Sequence, residues 1–168
     1  MSSQKYPLNQ LVDIKNRRLE EAETVLRAKK QILSQEEAKQ LELEKQRDTV
    51  KAHYQDKLTQ LRAKLDEGTS SVKITQMKQY LKMVSENLSV EENKVKAQIK
   101  VVEKAAQAVE TAKLDLFKKQ KDVEKLNLHQ KEWNKKTLEE EMRVETLEED
   151  EMGSTMHYLK HQESQTHE

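Results

Sequence analysis

Apolar residues recur through half of this chain at alternating steps of four and three, and no other feature restricts its fold so much. From Met77 the positions are Met77, Leu81, Val84, Leu88, Glu91, Val95, Gln98, Val102, Ala105, Val109, Ala112, Leu116, Lys119, Val123, Leu126, Gln130, Trp133, Thr137, Glu140, Val144 and Leu147. Fifteen of these 21 are apolar, against 34% of the chain as a whole. A period of about 3.5 residues held for about ten heptads is the seam of a coiled coil; a strand has no such period, and a disordered segment has no reason to keep it.

The first half carries a weaker version of the same stripe. Val12, Leu19, Leu26 and Leu33 recur every seven residues, with Leu8 and Ala22 between them. After a polar stretch around Glu36 to Gln40 the stripe resumes with Leu43, Val50, Tyr54, Leu58, Leu61 and Leu65. The step from Tyr54 to Leu58 to Leu61 reads as a stutter that shifts the heptad phase.

One break divides the two stripes, at Asp66-Glu67-Gly68-Thr69-Ser70-Ser71. Gly68 suits the left-handed position just past a helix, and Ser70 or Ser71 can cap the next one. Pro7 marks the start of the first helix and Gly153-Ser154 the end of the second. The expected fold is all-α: two long helices forming an antiparallel coiled-coil hairpin with a longer C-terminal helix. Residues 1–168 form a single elongated domain, with helix 1 at about 8–66, a turn at 67–71, helix 2 at about 72–152 and a polar tail at 153–168. The expected coiled-coil core is Leu19, Leu26, Leu33, Leu61, Leu81, Leu88, Val95, Val102, Val109, Leu116, Val123, Leu126 and Trp133. Folding about residue 69 sets Leu8 beside Gln130 and leaves about 20 residues of helix 2 overhanging, with Met142, Val144 and Leu147 unpaired.

Composition agrees. Charged residues make up 37%, with only 2 glycines and 1 proline, so a wide core is excluded while a narrow buried stripe is not. Formal net charge is zero but uneven: residues 1–69 hold 14 Lys/Arg and 12 Asp/Glu, 70–136 hold 15 and 9, and 137–168 hold 2 and 10. The acidic end points to a basic partner surface, or equally to a solvated helix end. No segment is apolar enough to cross a membrane, the N-terminus lacks the apolar stretch of a secretory signal, and there is no cysteine. These absences favour the cytoplasm.

Catalytic chemistry has no foothold. Neither G-x-x-x-x-G-K-[ST] nor G-x-G-x-x-G occurs, and no serine sits in a nucleophile elbow. His157 and His161 stand four apart, but a polar tail is a poor place to hold a metal. Glu91-Glu92 and Glu140-Glu141 are expected on solvated faces with ordinary acidity. The lysines from Lys94 to Lys136 alternate with acids and lack interleaved aromatics, so nucleic acid is not the expected partner. No catalytic, cofactor-binding or metal residue, and no cofactor, is expected. Tyr54 and Tyr80 near the turn and Trp133 near the open end are read as core first and contact second.

Four segments taken in order resemble a known family: Tyr6-Pro7-Leu8, Asp66-Glu67-Gly68-Thr69, His129-x-x-Glu132-Trp133 and Asp150-Glu151-Met152-Gly153. They are similar to the YscO/FliJ family, the central stalk proteins of type III secretion and flagellar export ATPases, and most nearly to its chlamydial branch. The resemblance implies a non-catalytic stalk or adaptor linking an ATPase hexamer to the cytoplasmic domain of the export gate, with secretion chaperones as further partners. It implies a monomer in the bacterial cytoplasm at the cytoplasmic face of the inner-membrane apparatus, with no membrane insertion. Carried over by position, Val50, Tyr54, Tyr80 and Val84 fall at the gate-contact tip. Val50 and Val84 stand where flagellar relatives carry bulkier residues. Leu8, Leu11, Val12, Met142 and Leu147 fall at the ATPase end. The competing readings are a helical-hairpin holdase chaperone and a self-assembling structural coiled coil.

Overall fold

The structure, a computed structural model, describes residues 5–165, with side chains up to His161. It contains two helices, α1 (Asn9–Glu67) and α2 (Ser71–Gln165), and no strand among the described residues. Pro7 lies in the turn before α1, where its missing N–H costs no helical bond. The Tyr6 carbonyl accepts from Asn9 N–H at 3.2 Å and the Leu8 carbonyl from Val12 N–H at 3.0 Å. At the other end Gly68 takes φ of 76°, a left-handed conformation that a Cβ penalises, and its N–H donates to the Leu65 carbonyl at 3.4 Å. Ser70 then accepts the first bond of α2 from Ile74 N–H at 3.2 Å.

The expected end of the second helix at Met152 is corrected: α2 continues through Gly153 to Gln165. Gly153 does not take a positive φ, so it ends nothing. A glycine inside a helix costs about 1 kcal/mol relative to alanine, too little to stop one already propagating. Thr155 Oγ1 also donates across it to the Glu151 carbonyl at 2.8 Å. The last three residues of the expected polar tail, 166–168, lie outside the described residues.

The chain divides into two compact units. In the unit Glu21–Leu116, every seam position of α2 from Met77 to Leu116 is buried or half-buried. The α1 side keeps a single heptad phase: Ala22, Leu26, Leu33, Glu36, Gln40, Leu43, Arg47, Val50, Tyr54, Lys57, Leu61 and Lys64 are all buried or half-buried. The expected stutter is therefore absent. Lys57 holds the seam position beside Leu58, because a long aliphatic stem can cover apolar surface while its charge reaches water. The polar stretch at Glu36 to Gln40 is likewise part of the seam. Gln98 Nε2 donates to Glu36 Oε2 at 2.6 Å and to the Glu36 carbonyl at 3.0 Å. Glu91, expected on a solvated face, lies half-buried in the seam, and its Oε2 has no hydrogen-bond partner.

The other unit joins the chain up to Glu20 with the chain from Phe117 on. Lys119, Val123, Leu126, Gln130, Trp133 and Thr137 of α2 are half-buried, as are Val12, Lys15 and Leu19 of α1. Tyr6 meets Trp133, Asn9 meets Gln130 and Lys15 meets Asp122, so partner numbers fall as α1 numbers rise. From Leu138 to His161 every residue is exposed.

Candidate functional site

Within the unit Glu21–Leu116 the residues nearest the turn form a cationic, tyrosine-bearing surface. Tyr80 is 42% exposed. Its hydroxyl lies 3.0 Å from His53 Nε2, and the two rings stand edge to face with centroids 6.0 Å apart. Tyr54 is half-buried and lines a shallow groove of about 450 Å³ with Lys78, Leu81, Lys82, Ser85 and Glu86. Tyr80 lines a second groove of about 250 Å³ with Lys57, Gln60, Gln76 and Met77. Three lysines against one glutamate make these walls net basic. Val50 is half-buried beside them. Val84 is only 4% exposed: its heptad phase puts it into the seam, where it supports the surface from beneath instead of presenting itself to a partner. His53 escapes sequence reasoning, because its pairing with Tyr80 depends on helix register to within one turn and no local motif marks it.

In the other unit, Tyr6 anchors the segment before α1. It is 4% exposed, its hydroxyl lies 2.6 Å from His129 Nδ1, and its ring packs against Trp133 at 5.5 Å between centroids. Tyr6 is a core residue that the heptad stripe does not reveal, since it precedes the helix. The fold-back register, which sets residue 8 beside 130, is the signal that could have found it. Leu8 and Leu11 remain exposed while Val12 is half-buried. Lys15 Nζ donates to Asp122 at 2.7 Å, and this hydrogen bond holds the Asp122 carboxyl below its ordinary range.

The C-terminal stretch of the same unit exposes Met142, Val144 and Leu147. The Arg143 guanidinium binds Glu140 through two hydrogen bonds of 2.7 and 3.0 Å, which lowers that carboxyl from the ordinary acidity expected for it. The His157 and His161 rings lie 6.5 Å apart, and no group of three or more potential metal ligands exists among the described residues. No described helix is long and apolar enough to cross a membrane. The expected core residues take the following places: Leu61, Val95 and Val109 are buried, and Leu19, Leu26, Leu33, Leu81, Leu88, Val102, Leu116, Val123, Leu126 and Trp133 are half-buried.

Fold and seam together define a helical coiled-coil protein. The model of the YscO-like protein family matches residues 3–163. A solved structure of a protein described as a YscO homologue, CT670 from Chlamydia trachomatis, is 44% identical, with a TM-score of 0.90 over 95% of this chain and 99% of that one. A chain from the structure of the Chlamydia pneumoniae CdsV and CdsO complex is 46% identical over 48% of this chain and 96% of its own, with a TM-score of 0.46. No curated protein matches. This chain belongs to the YscO-like family, a structural family of type III secretion.

Proposed function

We propose that this protein is a non-catalytic stalk or adaptor of a type III secretion export ATPase, its two helices pairing antiparallel as a coiled-coil hairpin within one domain. The carrying observation is the abrupt end of the covered seam. Positions 77 to 137 are shielded, whereas Glu140, Val144 and Leu147 keep the same phase in the open. A seam made for a partner helix but left without one is a docking element. On this reading Leu8, Leu11, Val12, Met142 and Leu147 meet the ATPase hexamer. Val50, Tyr54 and Tyr80 meet the cytoplasmic domain of the export gate, with Val84 holding them from below. Secretion chaperones are further partners. The site of action is the cytoplasmic face of the inner-membrane apparatus.

Support comes from family membership, from falling partner numbers within each unit, and from two surfaces of opposite charge. The deciding experiment is a pull-down with purified export ATPase, coupled to an ATP hydrolysis assay. Micromolar binding and faster hydrolysis are expected, on the order of −8 kcal/mol of association free energy. No binding at that concentration ends the proposal. Sedimentation of the chain alone as a monomer is also expected; a hexamer or a parallel dimer would favour a holdase or a self-assembling coiled coil.

A further inference from the structure

We propose that residues 138–159 of α2 carry a second docking face, distinct from the exposed seam, for a protein groove with two apolar pockets about 15 Å apart and lysine or arginine side chains between them. This deepens the stalk reading, on which the groove belongs to the export ATPase. Leu138, Met142, Glu145, Glu149, Met152, Met156 and Leu159 follow steps of four and three. At about 100° per residue they share an arc roughly 100° wide. Measured from the centre of that arc, Val144 lies about 110° and Leu147 about 170° around the helix, so the two stripes are centred on different faces. All five apolar members are exposed. They fall into two clusters, Leu138 with Met142 and Met152 with Met156 and Leu159, and the ten residues from Met142 to Met152 span about 15 Å. Glu145 and Glu149 fill the interval, and neither forms an ion pair among the described residues.

Charge selects the occupant. Residues 137–161 hold eight carboxylates and two cations, a net of −6. A second copy would bring its own −6 against this one, and an anionic membrane surface would repel it too. A cationic groove is attracted, and unbranched methionines adapt to its pockets. The test measures binding of the full chain to purified export ATPase across a salt series. Because both altered side chains are exposed and neither belongs to the contact set of the stalk reading, M152S/M156S keeps its helical circular dichroism but binds about ten-fold more weakly. E145Q/E149Q binds more weakly at low salt and shows a shallower salt dependence. Binding of the methionine variant within about two-fold of the unaltered chain overturns this face alone. So does an unchanged salt dependence in the glutamine variant, or a dimer of the chain that the methionine variant dissolves. An ATPase that fails to bind the unaltered chain overturns the stalk reading and this face with it.

Discussion

Gly68 and Gly153 are chemically identical and have opposite consequences. Gly68 sits at φ of 76°, so Gly68→Ala forces a Cβ into a left-handed backbone and costs about 1 kcal/mol, read as a lower Tm. Gly153 is an ordinary helical residue with open space around its missing Cβ. Gly153→Ala should gain about 1 kcal/mol of local helix stability, read as a stronger far-UV helical signal. From sequence both looked like helix ends, because composition does not reveal φ. Asp122 adds a pH-dependent term. Lys15 depresses its folded pKa, so the pairing stabilises the fold above the unfolded aspartate value, near 3.8, and is lost as pH falls through the folded value. Acidifying through that window should lower Tm less in Asp122→Asn than in the unaltered protein.

At the scale of the helix, α2 was legible because its seam positions are mostly apolar. The α1 seam was harder to read. Lys15, Glu36, Gln40, Arg47, Lys57 and Lys64 occupy its positions, and a hydrophobicity pattern misses residues that bury only their stems. Leu58, lying beside the seam, then imitates a phase shift. Those polar positions have a use. A seam of alanine, valine and leucine tolerates slipping by one heptad, whereas Gln98 can bond Glu36 in one register only. Gln98→Leu alone should lower Tm by leaving Glu36 Oε2 without its seam partner while Lys39 still holds Oε1, and E36L/Q98L should recover it, since the seam then holds no unpaired carboxylate and the freed Lys39 ammonium is exposed to water. Thermal unfolding of the four proteins in this cycle measures the coupling; zero coupling would remove the register role.

For the molecule as a whole, the question is whether the helix pair within the unit Glu21–Leu116 does more than carry the tyrosine surface. Neither the basic tyrosine surface nor the acidic segment shares side chains with the seam residues 22–35 of α1 and 99–112 of α2. Deleting both stretches removes 14 residues, two heptads, from each helix. The seam phase is preserved, and so are the Glu36–Gln98 and Lys15–Asp122 pairs that fix register on either side. Each helix becomes about 21 Å shorter. If binding belongs to the surfaces and transmission to the span, the shortened protein should bind purified ATPase within about two-fold of the full chain. It should also keep its affinity for the gate domain, yet fail to restore secretion in cells lacking the native protein. Loss of ATPase binding would show that the deleted stretch itself makes contacts. Restored secretion would show that the length of the pair carries no information, leaving a tether in place of a stalk.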